Sequence, residues 1–287
     1  MKEKEVLKRL GFKEEKELAS IEQLKDYNIS YAEDDENYFN LSNKDGKKPD
    51  KIVKSFLAHH DLISPVLHYA YGRIIITGWR ACLEEGIEYA HKGVRRDKSW
   101  IKRRVEEKSE NNLTHSQSKG RHVDSLMIPF LSKNEKSNDL SKRYHMDAGH
   151  IFGRFTKLTP LISDYLRSNQ SSDNINTYPQ FKSANEKDDK KGHDYGQLHF
   201  EREALSNLPC YYEAEAIIRD WNDVVPIGTR IRMIDADNFN EHFHVFIPNI
   251  VHGDFPSDSI LEDSDSAQAY SYYFKEGDLN KLTSKNK

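Results

Sequence analysis

The sequence predicts an α+β protein whose helices come first and whose sheet comes last. Three observations predict it. Ile52, Phe56, Leu57, Leu62, Val66, Leu67 and Tyr71 recur near a 3.6-residue period, the spacing of one helix face. Apolar and polar residues alternate over 230–235, and 242–248 reads as a second strand after the turn residues Asp237, Asn238, Phe239 and Asn240. Composition shifts near residue 140: the first 140 residues carry 26 Lys and Arg against 24 Asp and Glu, the remainder 17 against 23. The chain therefore divides into a mostly helical region, 1–120, and a second domain, 121–287, built on an antiparallel sheet.

The elements follow in order. Val6, Leu7, Leu10 and Phe12 mark short charged helices within 1–30. Acidic residues, Asn, Gly and Pro make 33–50 a loop. Residues 51–91 read as helix with a break or kink at Pro65, although the β-branched run Ile74, Ile75, Ile76 keeps a strand open at 73–77. Residues 108–120 and 132–142 are loop-like, with a strand between them at 121–130. NINTYPQF is a short strand, 186–197 a charged insertion, and 199–221 a helix that Pro209 must interrupt.

A hydrophobic content of 36% and a mean hydropathy of −0.85 still leave enough Ile, Leu, Phe and Tyr for a core. Two cysteines, Cys82 and Cys210, are few, which fits a reducing compartment. The opening MKEKEVLKRLGF lacks the apolar centre of an export signal, and no apolar run approaches a membrane span. A cytoplasmic protein without membrane contact is expected, with export by a signal-less route left open.

Two stretches carry chemistry. Seven basic residues, Lys92, Arg95, Arg96, Lys98, Lys102, Arg103 and Arg104, surround Trp100. They read either as a phosphate-contacting surface, with Arg95, Arg96, Arg103 and Arg104 its guanidinium donors, or as a solvated helix face. The second stretch opens Asp147-Ala148-Gly149-His150, continues through Gly153 and Arg154, and is followed by Asn174, Asn176, Asn185 and Glu201. A fixed imidazole beside a backbone bend, with hard oxygen donors downstream, supplies the parts of a one-metal phosphodiesterase site.

These residues resemble the DNA/RNA non-specific endonucleases, whose fold is the ββα-metal, or His-Me finger, arrangement. The matching text is DAGHIFGRF, NINTYPQFKSAN and QLHFEREAL, with VPIGTRIRM and HFHVFIPN similar to the family's C-terminal strands, over roughly 121–250. The resemblance implies His150 as the general base. It implies Asn185 as the direct ligand of Mg²⁺ or another divalent cation such as Mn²⁺, and Glu201 as the carboxylate holding metal-bound water. Asn176 would steady the site or substrate, and Asp147 would support the loop. Two departures stand out. Ala148 replaces the family's Arg, so another cation must substitute, Arg154, Arg143 and Arg202 being candidates. The sixteen residues from Asn185 to Glu201 are about twice the expected gap, which leaves Asp188, Asp189 or Asp194 as alternatives to Glu201 and His193 and His199 as further candidates.

The implied activity is metal-dependent hydrolysis of DNA, RNA or both with little sequence specificity, in a toxin or a regulated defence effector. An immunity or regulatory protein and a homo-oligomer are the implied partners. The competing class is a nuclease-fold protein impaired by Ala148 that binds nucleic acid or a protein partner.

Overall fold

The computed structural model describes residues 2–32, 37–46, 51–59, 63–70, 73–89, 146–156, 158, 162, 176–185, 196–219 and 226–250. Helices α1 (Glu3–Arg9) and α2 (Glu15–Leu18) lead into strands β1 (Tyr27–Tyr31) and β2 (Phe39–Asn43). Helix α3 (Lys51–Ala58) precedes β3 (Ile63–Ala70) and β4 (Arg73–Leu83). Beyond residue 145 come β5 (Met146–His150), β6 (Thr177–Phe181), α4 (Lys182–Asn185), α5 (Gln197–Ser206), β7 (Cys210–Ile217), β8 (Gly228–Asp235) and β9 (Glu241–Pro248). Seven strands form one antiparallel sheet in the order β1-β2-β9-β8-β7-β4-β3, and β5 and β6 form a separate two-stranded ribbon.

The expectation of a mostly helical first region is therefore corrected. Its described residues contribute four strands, which extend both edges of the sheet built by β7, β8 and β9. One continuous sheet thus joins strands from either side of the division expected at residue 120. Only α3 bears out the helical period of 51–91; β3 and β4 pair from Ile63↔Ala81 to Ala70↔Arg73. Pro65 lies in β3, the outermost strand, where a missing N–H need not break an interior ladder. The loop expected at 33–50 contains β2, whose Phe39 and Leu41 are buried in alternation with exposed neighbours. The helix expected over 199–221 ends with α5, and a cis Leu208–Pro209 bond precedes β7. The strand expected at 121–130 lies outside the described residues.

Two faces of this sheet are buried in different ways. On one, Tyr212 and Ala214 of β7, Ile231 and Met233 of β8 and Trp79 of β4 pack against Phe152, Phe155, Tyr178 and Phe200. Each large apolar side chain so buried contributes roughly 1.5–3 kcal/mol before entropy is counted. The β5–β6 ribbon and α5 are held to the sheet by this core. On the other face, α1 and α2 cover one end with Val6, Leu7, Leu10 and Leu18 against Phe39, Ile217 and Phe246. Helix α3 covers another with Val53, Phe56 and Leu57 against Tyr211 and Ile234. Cys82 and Cys210 sit on neighbouring strands but in the cores of opposite faces, and both are free.

The second face also buries an ionic network. Arg230 Nε and a terminal guanidinium nitrogen donate to Glu215 at 3.0 and 2.5 Å, and that nitrogen also reaches Glu213. The other Glu215 oxygen accepts from Gln23 at 2.5 Å and Thr77 at 2.8 Å, and pairs with His68 Nε2 at 2.5 Å. His244 Nε2 lies 3.1 Å from Arg230. Burial pushes the Glu213 and Glu215 carboxyls up, but Arg230 above all outweighs it and both stand below the usual carboxylate range. Burial, reinforced by Arg230 and Arg232, holds the His244 imidazole well below its ordinary value. All three depressed groups bind protons more readily in the unfolded chain, so folding stability falls as pH falls. Unfolding in urea at stepped pH is expected to show a steep loss below about 4.5, where the carboxyls of the unfolded chain protonate. A profile that stays flat below about 4.5 would contradict the depressed Glu213 and Glu215 carboxyls.

Candidate active site

The β5–β6 ribbon pairs Asp147 with Gln180, Ala148 with Pro179 and His150 with Thr177. Gly149 pairs with Tyr178, and the neighbouring Gln180 side chain fills the space beside it: a Cβ on Gly149 would lie 1.9 Å from Gln180 Oε1. That close approach accounts for the glycine of the Asp-x-Gly-His step without invoking a ligand. His150 ends the strand half-buried. Helix α4, ending at the half-buried Asn185, packs against β5, β6 and α5. The segment at Asn185 closes a short helix; it does not open the helix that bears Glu201.

Past His150 the chain leaves the ribbon ladder, and side-chain amides take over its backbone groups. Asn176 Oδ1 accepts from Phe152 N–H at 2.9 Å, and Asn176 Nδ2 donates to Phe152 C=O at 3.0 Å. Its own carbonyl accepts from Ile151 N–H at 2.8 Å. These buried bonds fasten Asn176 to the backbone of Ile151 and Phe152. Gln197 Nε2 donates to the carbonyls of His150 at 2.5 Å and Ile151 at 2.9 Å, and to Glu201 Oε1 at 2.8 Å.

Glu201 is 2% exposed. A Cβ on Gly153 would sit 2.9 Å from its carboxyl carbon, so Gly153 lets the loop pass over the carboxylate. Burial pushes the Glu201 carboxyl up to about 7, against the hydrogen bonds from Gln197 and Tyr89 that favour the charged form. Glu213 and Glu215 are comparably buried, yet Arg230 holds them below the usual range. Glu201 has only uncharged donors bonded to it among the described residues. The buried Tyr212 hydroxyl, close enough to Glu201 to feel its charge, has no hydrogen-bond partner among the described residues.

This donor set fits a hydrated divalent cation. A carboxylate buried without a bonded cation gains most from one nearby, and an amide oxygen and a carboxylate are the hard donors Mg²⁺ takes while keeping most of its waters. Asn185 would hold such an ion directly and Glu201 through water. Among the described residues no three or more His, Cys, Asp and Glu gather as a metal cluster.

The remaining expectations sort plainly. Arg154 is half-buried just past β5, and Arg202 is exposed on α5 beside Glu201. His199 stands edge-on to Phe200, with ring centroids 5.0 Å apart. Asp147 lies on β5 at its register position. Arg143, Asp188, Asp189, Asp194 and His193 lie outside the described residues, as does the whole basic run with Arg95, Arg96, Trp100, Arg103 and Arg104. Sequence reasoning missed Gln197, Gln180, Tyr89 and Tyr212. Gln197 carried a signal: it precedes Glu201 by four residues, one helical turn on the same face. Tyr89 carried none, since it meets the site from a distant part of the chain, through a bridge to Phe155 and a bond to Glu201.

No known family profile and no curated protein matches the chain. Among solved structures the chain is similar to NucA from Streptococcus agalactiae with no metal bound, at 14% identity and a TM-score of 0.44, covering 82% of this chain and 87% of that one. It is likewise similar to NucA from the same organism with magnesium bound, at 14% identity and a TM-score of 0.44, covering 88% and 92%. At this degree of likeness nothing about activity transfers from them. Among the described residues no helix is long and apolar enough to cross a membrane.

Proposed function

We propose that the protein is a metal-dependent endonuclease that hydrolyses phosphodiester bonds of DNA, RNA or both with little sequence preference. The observation that supports it most is one shared amide: Gln197 bonds both the backbone of His150 and the carboxylate of Glu201. His150 takes a proton from water, the hydroxide attacks phosphorus in line, and the bond to the 3′ oxygen breaks. Bound near Asn185 and Glu201, Mg²⁺ or Mn²⁺ supplies Lewis-acid stabilisation of the charge that develops on the phosphate. Arg154 and Arg202, the described arginines within the site's motifs, stand in for the Arg that Ala148 replaces. Such an activity must be restrained in the cell that makes it, which fits a regulated defence effector or a toxin with an immunity protein.

The test is cleavage of plasmid DNA and of structured RNA with and without Mg²⁺. Asn185→Ala is expected to raise the Mg²⁺ concentration for half-maximal cleavage by about tenfold or more while leaving nucleic-acid binding near wild type. An unchanged metal titration curve removes Asn185 as the ligand. Reversing Arg95, Arg96, Arg103 and Arg104 to Glu is expected to weaken DNA binding at low salt and to flatten its salt dependence. A salt slope equal to that of the wild type, in a folded variant, removes the basic run from the nucleic-acid surface.

A further inference from the structure

Three consecutive residues, His150, Ile151 and Phe152, have backbone groups that two buried side-chain amides satisfy. Asn176 serves Phe152 on both sides. Gln197, only 1% exposed, serves the carbonyls of His150 and Ile151 from the first position of α5. A purely structural glutamine would stop there. The same nitrogen also donates to Glu201, one turn further along the helix. The amide's orientation is fixed from behind, because Gln180 Nε2 donates to Gln197 Oε1 at 3.1 Å. Turned the other way, Oε1 would face two carbonyls and a carboxylate, an arrangement of acceptors only. Gln180 in turn reaches Thr229 of β8 at 3.4 Å, and Thr229 shares a 2.6 Å hydrogen bond with the Tyr178 hydroxyl. A chain of buried polar groups therefore runs from the central sheet, through β6 and α5, to the strand end that carries the imidazole.

We propose that Gln197 is the positioning residue of this site, with Gln180 as its orienter. Its two donors join the backbone under His150 to the carboxylate of Glu201, so that the imidazole and the metal-side carboxylate keep one fixed separation. This inference rests on the nuclease reading of His150 and Glu201. It adds to that reading a residue that touches neither substrate nor ion. Such supporting groups typically change metal affinity or activity by about 10–100-fold when removed, because small displacements of reacting groups cost large factors in rate.

The experiment uses the full chain and two variants. Gln197→Met keeps the length and volume of the side chain and drops its donors. Gln197→Glu keeps its shape and replaces the donor with an acceptor. The probe is Mn²⁺, whose unpaired electrons broaden nearby nuclear resonances according to distance. The ring signals of His150 are assigned by their absence in His150→Ala. In the wild-type protein Mn²⁺ is expected to broaden them. In folded Gln197→Met and Gln197→Glu, with Mn²⁺ still bound, that broadening is expected to change. In parallel kcat for plasmid cleavage is expected to fall about 10–100-fold with KM for DNA near wild type. Broadening and kcat that stay as in the wild type, in both folded variants, overturn the positioning role while leaving the nuclease reading intact. Absence of broadening at His150 in the wild-type protein overturns the metal-site reading and this inference with it. Loss of the fold in both variants also overturns it, since Gln197 would then serve the fold and not the site.

Discussion

Replacing His150 with alanine is expected to lower plasmid cleavage by roughly 10²–10⁴-fold, the usual loss when a general base is removed. The fold should survive. Residue 150 is placed by its ladder pairing with Thr177 and by Gln197's bond to its carbonyl, and neither uses the imidazole. Far-UV circular dichroism and the melting midpoint of His150→Ala should therefore match the wild-type protein while the initial rate in Mg²⁺ collapses. Added imidazole should restore part of the rate, because a diffusing base can occupy the space the side chain leaves. A variant that cleaves at close to the wild-type rate would show that water is activated elsewhere. An unfolded variant would instead move His150 from chemistry to structure.

Two strands of the sheet, β8 and β9, were legible, β8 because its two faces differ in chemistry. In β8, Arg230 and Arg232 alternate with Ile231 and Met233, and the alternation survives even though both faces are buried: one meets the apolar core, the other the ionic network. β7 alternates in the same way, yet its Glu213-Ala214-Glu215-Ala216 text favours a helix by intrinsic propensity. Pairing with β4 and β8, and with Arg230 in particular, overrides that preference, which no local reading could foresee. In β3 and β4 the apolar density was visible but its period misled. Val66 and Leu67 fit a helical spacing by chance, and a bulge between them shifts the strand register, whereas the strand kept open at 73–77 falls within β4. The site divides similarly. Residues on short stretches, Phe152 with Asn176 and Gln197 with Glu201, are joined by bonds that follow from their spacing once the ribbon is known. Contributions from afar are not. Tyr89 reaches Glu201 from the far side of more than fifty residues, and nothing in its own neighbourhood marks it.

The largest loss of stability is expected at Arg230. Arg230→Met keeps most of the side-chain volume but leaves Glu213 and Glu215 buried without the guanidinium that bonds both. Breaking a buried ion pair from one side typically costs about 3–5 kcal/mol, most of it the penalty of an uncompensated charge. That origin gives the variant a signature that lost packing cannot copy. In the wild-type protein the two carboxyls lie below their unfolded values, so their contribution is present above about 4.5 and lost as pH falls. Without Arg230 burial dominates and both should rise above their unfolded values. Their sign then reverses: the variant binds protons more readily when folded, and it gains stability as pH falls from 7 toward 5. His244 works in the same direction, because one of the two cations that add to burial in keeping its imidazole neutral has gone. Urea unfolding of both proteins at stepped pH should therefore show the stability gap between them narrowing as pH falls from 7 to 5. Changing Glu213 and Glu215 to Gln in the Arg230→Met background should recover part of the loss, since neutral amides are less costly to bury than lone carboxylates. Parallel slopes for wild type and variant, with no recovery in the triple substitution, would mean that Arg230 serves by its shape and its contact with Tyr27, and that the charges it holds contribute little to the stability of the sheet.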